Sequence, residues 1–170
     1  MDKLLIIFII FLNLSCVTLP GQKEYSALVK SLTMDSLDFS FIELKHYLHE
    51  YPDTPHAKKI SFALAEYYFQ IRDFRDAVTE LTAYINDYGD DKSAIFAYFM
   101  LYKIISEQYQ NENTLGKMRE KFFSKSLFLM FAEAKTQSYK SILNNTYKVN
   151  EHIDNIEVYK NNDLFLKIIP

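Results

Sequence analysis

The sequence predicts a mainly α-helical fold, a short solenoid of stacked helical hairpins closed by a small C-terminal β-hairpin or three-stranded meander. Three observations carry that reading. The first is an internal repeat: Leu44-Lys45-His46-Tyr47-Leu48-His49-Glu50-Tyr51-Pro52-Asp53 aligns with Leu81-Thr82-Ala83-Tyr84-Ile85-Asn86-Asp87-Tyr88-Gly89-Asp90 at an offset of 37 residues. The register continues without a gap through Ala57 with Ala94, Phe62 with Phe99 and Leu64 with Leu101. Units that recur in this way build arrays in which each copy buries an apolar face it cannot bury alone. The second is the helical spacing of apolar residues inside each unit, Ile60, Ala63, Leu64, Tyr67, Tyr68 and Ile71, then Phe74, Ala77, Val78, Leu81, Tyr84, Ile85 and Tyr88. The third is a change of period after Lys135, where Ile156-Glu157-Val158-Tyr159 alternates and Leu164 to Ile169 is strand-like.

In chain order, residues 1–15 read as an export signal. Lys3 precedes an unbroken apolar run from Leu4 to Leu12, followed by Asn13, Leu14, Ser15 and Cys16. A charged start, an apolar middle and a small residue before the cut are the marks of such a segment. A spanning helix needs roughly 20 apolar residues, more than this run supplies. Residues 16–22 form a tether and 23–135 the helical domain. A short helix is expected over Lys23 to Thr33, and another from Asp35 or Ser36 to Tyr51, where Pro52 and Pro55 stop it. Further helices are expected over His56 to Ile71, Phe74 to Tyr88, Asp91 to Gln110 and Thr114 to Lys135. Between the second pair lies Arg72-Asp73, a short polar turn. Residues 136–170 form the β-rich cap, with Asn161-Asn162 as its turn and Tyr147 to Ile153 as a candidate third strand.

Composition agrees with long helices packed through rings. The 170 residues include 13 Tyr and 14 Phe with no Trp, beside only 3 Gly and 4 Pro. Lys+Arg of 19 against Asp+Glu of 22 gives a formal charge of -3, too weak a field to recruit nucleic acid or an anionic membrane surface. The single cysteine, Cys16, has no internal disulfide partner.

The segment Leu12-Asn13-Leu14-Ser15-Cys16 resembles a bacterial lipobox, with Asn13 where the strict motif has Leu, as in the looser lipoboxes of spirochaetes. That resemblance implies cleavage before Cys16 and lipidation of its thiol and new N-terminus. An uncleaved anchor and an ordinary secretory signal are the alternatives, and all three export the domain. One acyl chain gives only marginal membrane attachment, whereas more than one holds a protein stably. The helices from Ala57 to Tyr88 resemble a tetratricopeptide repeat: Leu64, Ala65 and Tyr68 match the packing positions of its first helix, and Phe74, Ala77 and Leu81 those of its second. Arg72 replaces the usual turn glycine, Gly89 the closing proline, and Tyr102 a small residue in the next unit. Small Ala65 and Ala77 suit close approach of two helix axes.

A lipobox cysteine followed by hairpins ending in Tyr51-Pro52-Asp53 and Tyr88-Gly89-Asp90 resembles the outer-membrane assembly lipoprotein family, the BamD or YfiO type. The resemblance implies a lipid-anchored scaffold on the periplasmic face of the outer membrane that binds other envelope proteins, among them a β-barrel insertase or unfolded outer-membrane proteins. The array is shorter than the family's, and the terminal β segment is foreign to it, so a generic envelope adaptor unrelated to barrel assembly is the alternative.

The repeat pattern places Lys59, Phe62, Glu66, Phe69, Gln70, Phe96, Phe99, Lys103 and Glu107 on the inner face, where such arrays bind proteins. Apolar rings with charged rims suit a docking surface, and neighbouring elements of a short array can cover them instead. His46, His49 and His56 with Asp53 are the strongest metal candidates, but the spacing lacks a second compact pair and reads as solvated helix-face histidines. No cofactor is expected. Gly116-Lys117 lacks the spaced glycine of a phosphate loop, and no serine elbow or paired cysteines occur, so catalysis is not expected. Lys117, Arg119, Lys121 and Lys125 form the cationic face of an amphipathic helix.

Overall fold

The computed structural model of the chain describes residues 19–32, 37–123 and 136–170. The export signal, Cys16 and the next two residues of the tether, Lys125 and the end of the helix expected to reach Lys135 lie outside the described residues. Six α-helices come first: α1 Gln22–Ser31, α2 Leu37–Glu50, α3 Ala57–Gln70, α4 Phe74–Tyr88, α5 Ala94–Ile104 and α6 Glu112–Phe123, with a π-helical turn, Ile105–Tyr109, between the last two. Four antiparallel strands follow in a meander: β1 Thr136–Lys140, β2 Thr146–Glu151, β3 Ile156–Lys160 and β4 Asp163–Ile168. The fold is therefore mainly α-helical with a small open sheet. Among the described residues no helix is long and apolar enough to cross a membrane.

Helices α1 to α5 pack each against the next, as apolar stripes at helical spacing require. Local signals set their ends. The Asp73 carboxylate accepts a hydrogen bond from the Asp76 N–H at 3.2 Å and caps α4. Gly21 opens α1 at φ 73, where a side chain would strain the backbone and its Cβ would meet the Tyr47 hydroxyl at 2.7 Å.

The duplicated stretches take the same shape. Leu44 in α2 and Leu81 in α4 are both fully buried. Three residues on, Tyr47 packs on Tyr51 with ring centroids 5.1 Å apart and planes at 45°, and Tyr84 packs on Tyr88 at 5.2 Å and 45°. Each inner phenol then meets a hydroxyl of the following loop, Tyr47 with Thr54 Oγ1 at 3.1 Å and Tyr84 with Ser93 Oγ at 2.5 Å. Sequence register at an offset of 37 thus becomes register of packing.

Two expectations are corrected. The helix expected over Asp91 to Gln110 is α for only Ala94–Ile104; its last five residues widen to π geometry and end at Gln110, which is left-handed at φ 48. The expected β-hairpin or three-stranded meander has a fourth strand, β1, pairing Ser138 with Lys148 and Tyr139 with Tyr147. Its sequence, Thr-Gln-Ser-Tyr-Lys, has one apolar residue and so no alternation; cross-strand hydrogen bonding to β2 makes it a strand. Asn161 and Asn162, at φ 53 and 73, form the two-residue turn between β3 and β4, the conformation such hairpins require. Opposite Val158 and Tyr159 the register slips, leaving Phe165 as the extra residue of a bulge.

The sheet lays Tyr147, Val149, Ile156, Val158 and Ile168 toward the helices, and all five are buried. It rests on the side chains of α3 and α5. Phe62 meets Tyr139 at 4.9 Å and Tyr147 at 6.2 Å, both edge to face, while Phe96 stacks on Tyr139 at 6.0 Å. Such ring pairs add about 0.5–1.5 kcal/mol each beyond the area they bury.

Candidate functional site: a groove filled by the sheet and a cleft left open

Residues of the expected inner face divide into two sets. Phe62, Glu66, Phe96 and Phe99 are buried beneath the chain's own sheet and helix α6, with Phe99 packed on Phe122 at 5.1 Å. Their exposure to a partner is thereby corrected, because the C-terminal strands supply the rings that the pattern reserved for another protein. Phe69, Gln70, Lys103 and Glu107 lie beyond the sheet's rim and line an open cleft of about 560 Å³. Lys59 stays exposed near α1, its ammonium 6.0 Å from the Tyr25 ring centroid.

The covered part of the groove holds a buried polar cluster. Glu66 is fully buried on α3, and the Tyr147 hydroxyl of β2 donates a hydrogen bond to its Oε1. Its Oε2 is buried with no hydrogen bond among the described residues, although Ser141 and Asn145, from the β1–β2 turn, stand beside the carboxyl. Burial pushes the Glu66 carboxyl above the ordinary glutamate range, more than Tyr147, Ser141, the charge of Lys160 and Asn145 pull it down. The same burial, with Glu66 beside it, drives the Tyr147 phenol upward. On α4, the Tyr84 phenol is pushed up to about 12, again chiefly by burial.

The open cleft lies one helical turn further along α3 and has a different character. Its walls are Phe69 and Gln70 of α3, Arg72 of the following turn, Phe74 of α4, Lys103 of α5, Glu107 and Gln108 of the π-helical turn, and Lys160 at the end of β3. Lys103 is tied to Glu107 at 2.5 Å across one turn, and its ammonium also lies 5.1 Å from the Phe165 ring centroid. Lys160 is half-buried, with the Tyr147 ring centroid 5.8 Å away, and its ammonium makes no hydrogen bond or ion pair among the described residues. Burial lowers its proton affinity, and the Glu66 charge behind it only partly restores that affinity. Arg72 holds a left-handed backbone at φ 63. A large residue in that region costs of order 1 kcal/mol or more, and glycine is its usual occupant. π-Helical turns concentrate at functional sites, and here one forms the cleft's wall.

Sequence reasoning found Phe69 and Lys103 and missed Arg72, Phe74 and Lys160 as site residues. Arg72 carried a signal, since it occupies a turn position where the repeat has glycine. Lys160 carried none, because only the folding back of β3 brings it to α3.

The histidines are not gathered. His56 stacks on Tyr25 at 3.9 Å and bonds the Gln22 side chain at 2.7 Å, while His49 meets Glu50 at 2.9 Å. His46 lines a separate, mostly apolar groove between α1 and α2. Among the described residues no group of three or more His, Cys, Asp or Glu side chains is placed to hold a metal ion. On α6, Arg119 is engaged by the Tyr102 hydroxyl at 3.3 Å and Glu112 at 3.2 Å, and Lys121 bonds Tyr98. Compared with known proteins, the chain matches no family model, no curated protein and no solved structure.

Proposed function

We propose that this chain is a lipid-anchored, protein-binding scaffold of the cell envelope, built on tetratricopeptide-like hairpins, that assists assembly of outer-membrane β-barrel proteins without catalysing a reaction. The observation that carries the reading is the duplicated hairpin: its matched leucines are buried alike, its tyrosine pairs pack with the same geometry, and its successive helices pack each against the next. Stacked hairpins present an extended surface larger than one unit could offer, and such arrays use it to hold other proteins. Export and lipidation at Cys16 place that surface at the periplasmic face of the outer membrane, with a β-barrel insertase or unfolded barrel proteins as partners.

The test is affinity capture with the mature lipidated protein from envelope extracts, read by mass spectrometry. Recovery of the barrel insertase or of unfolded barrel proteins supports the assembly role. Recovery of peptidoglycan-bound or cytoskeletal anchors instead removes that role and leaves a general envelope adaptor, a reading favoured by the sheet that fills the inner groove. Loss of palmitate labelling in Cys16→Ala is expected, and labelling that persists would remove the lipid anchor.

A further inference from the structure

We infer that the open cleft between α3, the π-helical turn and β3 is a binding site for an acidic, extended peptide segment, with Arg72 and Lys160 taking its carboxylates and Phe69 and Phe74 its apolar side chains. The inference rests on the protein-binding reading above and names the chemistry of the partner. The cavity of about 560 Å³ is in the range that holds a few side chains. Its cations are Arg72, Lys103 and Lys160 against one carboxylate, Glu107, which Lys103 already neutralises. Among the described residues Arg72 and Lys160 make no ion pair, and both line the same cleft.

The two cations sit differently, and Arg72 is the exposed one. Lys160 is half-buried. A partly desolvated cation that its one nearby carboxyl, Glu66, compensates only in part is relieved by an incoming carboxylate. Arg72 keeps a strained backbone in a turn that glycine would form freely, and its residue lines the cleft. Phe69 and Phe74, whose rings meet edge to face at 6.1 Å, give the cleft an apolar wall between the charges. Charge at the rim and rings at the wall suit alternating acidic and apolar side chains.

The full chain, purified in detergent, is titrated with a dye-labelled decapeptide of alternating Glu and Phe, with its Lys-for-Glu counterpart, and with phosphatidylglycerol–phosphatidylethanolamine vesicles. The acidic peptide is expected to bind, more weakly as salt rises, and the basic one not to bind. Lys160→Met keeps the apolar stem and Arg72→Gly relieves the turn, so both variants remain folded. Each is expected to weaken the acidic peptide about tenfold, as loss of one charge-assisted contact does. Peptide binding is also expected to raise the midpoint of Lys160 ammonium titration followed by NMR. Equal binding by both variants, equal binding of the two peptides, or binding of vesicles alone overturns the inference. If affinity capture still recovers an envelope protein in that event, the scaffold reading survives and only this cleft is refuted.

Discussion

Replacing Glu66 by glutamine should make the protein more stable at pH 8 and leave it nearly unchanged near pH 4.5. In the wild type the Glu66 carboxyl is fully buried, with one hydrogen bond from Tyr147 and a second oxygen that has none among the described residues. Its proton affinity in the folded protein is raised above the ordinary value of 4.5. The protonated form is therefore the one that suits the fold. Stability from this group is full below pH 4.5 and is lost as pH rises through the raised folded value, because the unfolded chain releases the proton first. Glutamine keeps the shape, accepts the Tyr147 hydroxyl through its carbonyl, and cannot ionise. Leaving a buried polar atom unsatisfied costs about 1–3 kcal/mol, and more for a charged one. Against this, the new amide must find its own partners beside Ser141 and Asn145. The net gain expected at pH 8 is about 1 kcal/mol, or roughly 2–4 °C in melting temperature for a domain of this size. Thermal melts of wild type and Glu66→Gln followed by circular dichroism at pH 4.5, 6 and 8 give the difference, which isolates Glu66 from other titrating groups. If the difference shifts in favour of the wild type as pH rises, the account of Glu66 is wrong.

Other outcomes follow from the same contacts. Tyr147→Phe removes the hydrogen bond that its hydroxyl donates to the Glu66 carboxyl and should destabilise by about 1–3 kcal/mol, measured by urea unfolding, with the smaller loss at acidic pH where the carboxyl is neutral. Phe62→Ala opens a hole beneath Tyr139 and Tyr147 and should cost about 3–5 kcal/mol in the same measurement; a near-neutral result would mean that the sheet does not sit on α3. Arg72→Gly should raise the melting temperature, gaining about 1 kcal/mol by releasing the left-handed strain. Although burial raises the Asp91 carboxyl, Lys58 and Ser93 outweigh it and hold it below the usual range. Its contribution is present above the unfolded value near 3.9 and fades as pH falls through the folded one, so Asp91→Asn should flatten the acid limb of the wild-type stability curve.

What could be seen in the sequence was local. The helices from His56 to Tyr88 were found to within a residue or so, because buried apolar positions recur with a period that one chain segment reveals by itself. The Asn161-Asn162 turn was legible for the same reason, as both asparagines tolerate the positive φ it demands. Strand β1 was not, since Ser138 and Lys140 bear no pattern and only their pairing with Lys148 and Thr146 orders them. Phe62 and Phe96 lie on the sides of α3 and α5 that meet the sheet, yet the strands that cover them come from residues far along the chain. Glu66 and Tyr147 are 81 positions apart, and no periodicity links two groups at that range. The cleft was half visible, because Phe69 and Lys103 obey the repeat while Lys160 depends on how the sheet docks.

That same separation of 81 positions sets an order of events in folding. Adjacent hairpins close short loops and can assemble within microseconds to milliseconds, but seating the strands on α3 closes a long one, an entropic charge of about 4 kcal/mol before any contact is made. A chain emerging from its N-terminus has Phe62 and Phe96 outside well before the strands that cover them arrive. Until the last strands emerge, those rings are bare to water and to other unfinished chains, so a holding chaperone should raise the yield of the native protein and premature truncation before residue 136 should aggregate it.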